Sequence, residues 1–337
     1  MLIAFFLGVL VTFTYQHLFF NRDPAVASAL RQSDLNPRET YKFIDPIIGL
    51  KGRGQESAVE YIALRQSITS FITSEIQNNN LKTASVYVRD ITKGVNFQIN
   101  PDEKYSPASL LKVPVMIAYF KLAEADPSIL VKQIVYTGTQ DLNLIKDIPS
   151  SVQLVKGHSY SVEELIEHMI KYSDNNADNL LVENLSAIGH GDFVKTIFKD
   201  LAIPDIEIVK DFITMQQYAL FFRVLYNSTY LSREGSERAL EFLTESDFSK
   251  GIDAGVPNNI IIAQKFGEFS LESPSGEVLR RELHNCGIVY YPKHPYLMCV
   301  MTKGSDFRSL EDVIQHISSL IFQYIEDAYP REAQTGT

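Results

Sequence analysis

The chain has 337 residues, 45% of them hydrophobic, which suffices for one large domain or two small ones with a sizeable core. Its 31 Lys and Arg against 41 Asp and Glu leave a formal charge of -10, and the absence of a basic block or aromatic-basic interleaving argues against nucleic acid as a partner. Two cysteines make neither a disulfide framework nor a metal site, and the seven histidines fall into no paired ligand motif, so no metal and no cofactor is expected.

Met1 to Phe20 is an apolar run interrupted only by His17 and a few weakly polar residues, and about 20 such residues span a bilayer. It is expected to be an uncleaved membrane anchor; a cleaved signal peptide is the alternative, since Ala25-Val26-Ala27-Ser28-Ala29 offers small-residue sites. Residues 21–55, punctuated by Pro24, Pro37, Pro46, Gly49, Gly52 and Gly54, have the composition of a linker. Tyr61, Ile68, Phe71, Ile72 and Ile76 then recur at helical spacing until Asn78-Asn79-Asn80. Two alternating runs, Ala84/Val86/Val88 and Val95/Phe97/Ile99, predict a hairpin with one buried face.

Next comes Tyr105-Ser106-Pro107-Ala108-Ser109-Leu110-Leu111-Lys112-Val113-Pro114-Val115. Pro107 and small residues suggest a helix start, and the apolar run to Leu122 suggests a buried helix that begins late or kinks at Pro114. Ser109 and Lys112, three apart, would share one helical face. A serine hydroxyl needs a base before it attacks, and a lysine taken out of water gives up its proton more readily. Burial of this pair would therefore create an activated nucleophile.

From 109 to about 250 the chain is mainly helical. Ser161-Val162-Glu163-Glu164 has the pattern of a capping box, and further helical runs are expected near 176–187, 191–200, 214–227 and 234–245. Strand character returns at 259–266, 278–290 and 296–302, and a final helix carries Leu310, Val313, Ile314, Ile317, Leu320, Ile321 and Tyr324 on one stripe. If the turn between the last strands pairs Tyr291 with Tyr296, Cys286 faces Met301 and Cys299 faces Ile288. The cysteines would then be diagonal neighbours, and two free buried thiols are expected.

Strands at both ends with helices between predict an α+β fold: an antiparallel sheet built from the two chain ends and flanked by helices, with an inserted all-α part and a cleft where the parts meet. The expected boundaries are 1–20 anchor, 21–55 linker, 56–328 folded domain and 329–337 tail. Within the domain, 56–108 and 255–328 form the α/β part and 109–254 the helical part.

Two more polar stretches stand out. Ser173-Asp174-Asn175 lies at a helix-to-helix turn, where such residues also serve as ordinary caps. Ile260-Ile261-Ile262-Ala263-Gln264-Lys265-Phe266-Gly267-Glu268 is a very apolar strand ended by a lysine and a glycine, and Gly267 would let a substrate backbone approach the strand edge.

In this order the three pieces resemble the serine β-lactamase and penicillin-binding protein superfamily, in its class A β-lactamase-like branch, marked by S-x-x-K, S-D-N and K-T-G. Here they are Ser109-Leu110-Leu111-Lys112, Ser173-Asp174-Asn175 and, imperfectly, Lys265-Phe266-Gly267; the resemblance covers about 56–328. It implies that Ser109 attacks a carbonyl to form an acyl-enzyme, with Lys112 as base or proton relay and Ser173 passing a proton to the departing nitrogen. Lys265 would hold that hydroxyl and the substrate carboxylate, and Asn175 the substrate's side-chain amide. The backbone N–H groups of Ser109 and Glu268 would form the oxyanion hole, and Asp174 would be structural.

Two departures bear on function. Phe266 stands where the family has Thr or Ser, so the hydroxyl that grips a substrate carboxylate is missing unless Ser270, Arg280 or Arg281 substitutes. No E-x-x-L-N loop lies between Ser173 and Lys265; in the segment 201–211 in its place, Glu207 and Asp211 are the candidate water-activating carboxylates. The resemblance therefore implies a serine hydrolase acylated by β-lactams, a β-lactamase with impaired or unusual deacylation. A D-alanyl-D-alanine peptidase acting on peptidoglycan peptides is the close variant. A non-catalytic cell-wall or partner-binding module on the same fold is the alternative of another class. The expected protein is a monomer, anchored with its domain on the extracytoplasmic side, or secreted or periplasmic after signal cleavage.

Overall fold

The alternating runs near both chain ends pair into one sheet. The computed structural model describes residues 41–46, 61–203 and 213–331, which apart from Tyr41 and Lys42 belong to the unit Phe43–Thr337. The expected anchor Met1 to Phe20, nearly all of the linker, Glu207 and Asp211 lie outside those residues. Among the described residues no helix is long and apolar enough to cross a membrane.

The sheet has the order β2-β1-β7-β6-β5 and is antiparallel throughout. Its strands are β1 (Thr83–Asp90), β2 (Asn96–Ile99), β5 (Ile262–Glu272), β6 (Val278–Val289) and β7 (Tyr296–Gly304). Val86 pairs with Ile99 and Val88 with Phe97, which puts the predicted apolar set of the first hairpin on one face. A three-residue pair, β3 (Gln133–Val135) and β4 (Ser159–Ser161), forms a separate ribbon.

Helices α1 (Ile62–Gln77) and α9 (Phe307–Ala328) cover one face of the large sheet. Their stripes, Leu64, Ile68 and Ile72 on α1 and Leu310, Val313, Ile314, Ile317 and Ile321 on α9, join Val86, Val88, Leu283, Met298 and Val300 in a single core. Stripe residues three or four apart on each helix meet the sheet face.

The helical part opens with a 3-10 turn, Ala108–Leu111, that leads into α2 (Lys112–Ala123). Every residue of α2 from Lys112 to Phe120 is buried, as expected of a helix surrounded by others. Pro114 is the third residue of α2, where its missing N–H would have had no helical partner, so the helix begins late and is not broken. Around it lie α3 (Ser128–Val131), α4 (Val162–Lys171), α5 (Asn175–Ala187), α6 (Phe193–Asp200), α7 (Met215–Tyr226) and α8 (Arg233–Thr244). Ser161 caps α4 reciprocally with Glu164, as predicted, and Thr214 caps α7 with Gln217 in the same way.

The cysteine expectation is overturned. The β6-β7 ladder closes at Val289 with Tyr296, two residues earlier than the turn sequence suggested, so Cys286 lies directly opposite Cys299 and the two form a disulfide. The cause is the turn. Pro292 and Pro295 have no N–H for a ladder, and the Tyr290 N–H donates to Ile261 O at 2.9 Å, away from β7. Both cysteines are buried, as expected.

Candidate active site

Two strained turns and one strand edge bring the predicted residues together. Ala108, just before Ser109, has φ 47°, and Ser173 has φ 51°. Non-glycine residues rarely occupy this left-handed region unless the surroundings enforce it, and such positions cluster at functional sites.

The Ser109 turn is pinned from several directions. Tyr105 bridges to Ile213. The Ser106 N–H donates to the buried Glu282 carboxylate at 3.0 Å, and His284 Nε2 donates to the Ser106 carbonyl at 2.9 Å. Gly267 on β5 meets the turn directly: a Cβ there would lie 2.9 Å from the Pro107 carbonyl and 3.1 Å from the Leu110 nitrogen. The close approach that Gly267 permits here is that of the Ser109 turn to β5.

The Ser173 turn is set by Asp174, which caps α5 by accepting from the Asn176 and Ala177 N–H groups and also accepts from Asn143 Nδ2 at 3.1 Å. This is the structural role expected of it. Asn175 Nδ2 donates to Leu142 O at 3.1 Å, and an amide nitrogen carries a second donor hydrogen.

Lys112 and Lys265 converge on Ser173. Lys112 Nζ donates to the Ser173 carbonyl at 2.7 Å, to the Ser173 hydroxyl at 3.2 Å and to Asn175 Oδ1 at 2.7 Å. Lys265 Nζ donates to the same hydroxyl at 2.9 Å and to Phe266 O at 2.9 Å. Lys112 is 2% exposed and Lys265 0%. Burial therefore lowers the Lys112 amine to about 8, with Lys146 adding to the effect and Asp178 and Asp174 opposing it. Lys265 is driven down further by burial and by the charges of Lys112 and Lys146. A Lys112 that loses its third proton keeps both bonds to carbonyl-type oxygens and gains a lone pair for a hydroxyl proton.

Ser109, Lys146, Asp147, Asn175, Glu268 and Ser270 line one cavity of about 220 Å³. Ser109 thus faces the same space as Asn175 and Glu268, while the hydrogen bonds of Lys112 run to Ser173 and Asn175 and not to Ser109. A hydroxyl, two buried amines, a second hydroxyl and an amide grouped in this way can perform nucleophilic acyl transfer with proton relay.

Three features escaped sequence reasoning. Glu268 lines the cavity: its Oε2 accepts from the Ile148 N–H at 2.7 Å, Oε1 is buried without a hydrogen-bond partner, and burial raises the carboxyl to about 7. Asp178 is also raised by burial, although Lys112 and Lys265 oppose the shift. Lys146 donates to the Ser173 carbonyl at 3.0 Å and to Ser150 Oγ at 2.8 Å. None sits in a recognisable motif; the only signal is charge near the cleft. Phe266 turns into the core, stacked on Phe248 at 4.1 Å between centroids. Of the groups weighed as substitutes for its missing hydroxyl, Ser270 lies on the cavity wall with its Oγ on Asp147 at 2.6 Å, and Arg281 approaches the same carboxylate. Arg280 pairs with Glu282.

An antiparallel sheet joined to a helical part, with a nucleophile turn and two lysines at their junction, defines the class of active-site serine hydrolases that work through an acyl-enzyme. Residues 63–325 match the model of the β-lactamase enzyme family, and the chain belongs to that family. Solved structures with the same fold include PBP-A, 20% identical over 79% of this chain and 97% of that one with a TM-score of 0.64. A β-lactamase of Chitinophaga pinensis is 17% identical over 78% and 99% with a TM-score of 0.65, and one of Sphaerobacter thermophilus is 21% identical over 79% and 99% with a TM-score of 0.64. None of the curated proteins matches the chain.

Proposed function

We propose that this β-lactamase-family serine hydrolase is acylated by β-lactams at Ser109 and releases the product slowly. The observation that carries the reading is the pair of buried amines on the Ser173 hydroxyl. Ser109 Oγ attacks the lactam carbonyl and its proton passes to unprotonated Lys112. The oxyanion lies against the N–H groups of Ser109 and Glu268. Ser173 gives its proton to the departing ring nitrogen and regains one from Lys112, 3.2 Å away. Asn175 takes the side-chain amide of the substrate. Lys265, lowered by burial and by Lys112 and Lys146 despite Asp247 and Glu268, gains a counter-charge from a substrate carboxylate and so takes up a proton as the ligand binds. Water then hydrolyses the ester. Slow release is supported by the sequence, which lacks the E-x-x-L-N carboxylate.

A second reading, a D-alanyl-D-alanine peptidase on peptidoglycan peptides, uses the same residues. Its support is the likeness to PBP-A, a variant of which has been solved as an acyl-enzyme with penicillin G. Either activity fits a monomer held outside the cytoplasmic membrane by Met1 to Phe20. The Cys286–Cys299 disulfide supports that placement, because such bonds persist in oxidising compartments. Steady-state turnover of a chromogenic cephalosporin tests the function. Sustained hydrolysis well below the rate of acylation is expected, and a single stoichiometric burst would favour the peptidase.

A further inference from the structure

The Ser173 carbonyl accepts from two ammonium groups, Lys112 at 2.7 Å and Lys146 at 3.0 Å, so the two nitrogens cannot be more than about 5.7 Å apart. Lys265 reaches the hydroxyl of the same residue. Three amines therefore surround one serine. Lys146 belongs to none of the three motifs; it follows the 3-10 turn Leu142–Ile145, which is capped by Asp141, and its second bond, to Ser150 Oγ at 2.8 Å, fixes its reach.

We propose that Lys146 is a positioning residue of the acylation machinery, clamping the Ser173 carbonyl and supplying the fixed positive charge against which Lys112 works as a base. A like charge at this distance disfavours the protonated form of a buried neighbour, and Lys146 acts on both Lys112 and Lys265 in that sense. The groups around Lys112 are Asp174 at the cap of α5 and Asp178 on it, Lys265 and Glu268 on β5, and Lys146 itself. Those around Lys146 are Glu268, Asp174 and Asp247. Burial lowers the Lys146 amine too, and those three carboxylates oppose the shift; it lines the cavity and is less buried than Lys112 and Lys265, so it gives up its charge less readily than they do.

The use of Lys112 as a base rests on the acyl-enzyme reading, but its titration does not, and the test separates them. In protein carrying 13C-labelled lysine, the Lys112 signal, assigned by its loss in Lys112→Arg, is titrated by NMR in wild type, Lys146→Gln and Lys146→Arg. Gln keeps a donor for the Ser173 carbonyl and removes the charge; Lys146→Met serves as a second neutral variant should Gln not fold. The Lys112 midpoint is expected to rise by about one to two pH units in the neutral variants and to stay in place in Lys146→Arg. An unmoved midpoint in a folded neutral variant overturns the proposal. Penicillin acylation rates against pH form the second arm, and their limb should follow the Lys112 midpoint. A midpoint that moves in a protein no penicillin acylates refutes the Ser109 reading and leaves the action of Lys146 on Lys112 standing.

Discussion

Lys112 and Lys265 donate to one oxygen atom, the hydroxyl of Ser173, from 3.2 and 2.9 Å. They come from a helix start and a strand. Two buried amines on one hydroxyl cannot both stay protonated at low cost, so the arrangement favours a free base beside a hydroxyl able to pass a proton on.

Acylation should therefore depend on pH through Lys112. Its amine is lowered to about 8, and only the unprotonated form accepts a proton. The Lys112 titration alone gives a rate that rises about tenfold per pH unit below that value and levels off above it, and wild type should follow that slope below about pH 6, where Glu268 stays neutral. Stopped-flow acylation with a chromogenic β-lactam from pH 5 to 10 measures this. Lys112→Arg, which cannot act as a base at these pH values, should lose about 100- to 10,000-fold.

Glu268 should add a second, opposite dependence. Its carboxyl is raised to about 7, so it is mostly neutral below that pH and anionic above, on a residue that lines the cavity where the proposed oxyanion develops. Ionisation should slow acylation as pH rises through 7. Glu268→Gln should remove this fall and raise the rate at pH 8 several-fold relative to wild type, with little change at pH 5.5. A ratio that stays constant between the two pH values would contradict the role.

Gly267→Ala should harm both stability and activity. The added Cβ would press on the Pro107 carbonyl, 2.9 Å away, and relief requires moving the Ser109 turn. Overpacking of this kind costs about 1–3 kcal/mol. Calorimetry should show a fall in Tm, and the acylation rate should drop by more than any change in KM explains.

Phe266→Thr should not restore the family's carboxylate grip. The Phe266 side chain is 3% exposed and stacked on Phe248, so a threonine leaves a void in the core, at a cost of about 3 kcal/mol. Thermal unfolding and KM for penicillins check this: a lower Tm with no gain in KM is expected, and a tighter KM would mean that position 266 reaches the substrate.

The helices and strands were legible because their signals are local. Capping at Ser161 with Glu164 and the stripe of α9 require no knowledge of the rest of the chain. The motif lysines were legible as types and as an order, but which atoms they touch was not. Sequence spacing suggested that Lys112 faces Ser109, whereas its hydrogen bonds go to Ser173 and Asn175. The disulfide was missed because ladder register depends on where two prolines let the turn close, and a slip of two residues turns diagonal cysteines into opposed ones. Lys146 was missed because an irregular loop brings it to a carbonyl 27 residues away, and no periodicity encodes such a contact. The role of Gly267 needed the packing of β5 on the 3-10 turn.

Intact-protein and peptide mass spectrometry of penicillin-treated wild type and Ser109→Ala tests the central claim most directly. One adduct with the mass of the intact penicillin, mapped to Ser109, persisting for minutes and absent from Ser109→Ala, is the predicted result. An unmodified wild-type protein under conditions that label a control enzyme, or an adduct that survives in Ser109→Ala, would contradict it.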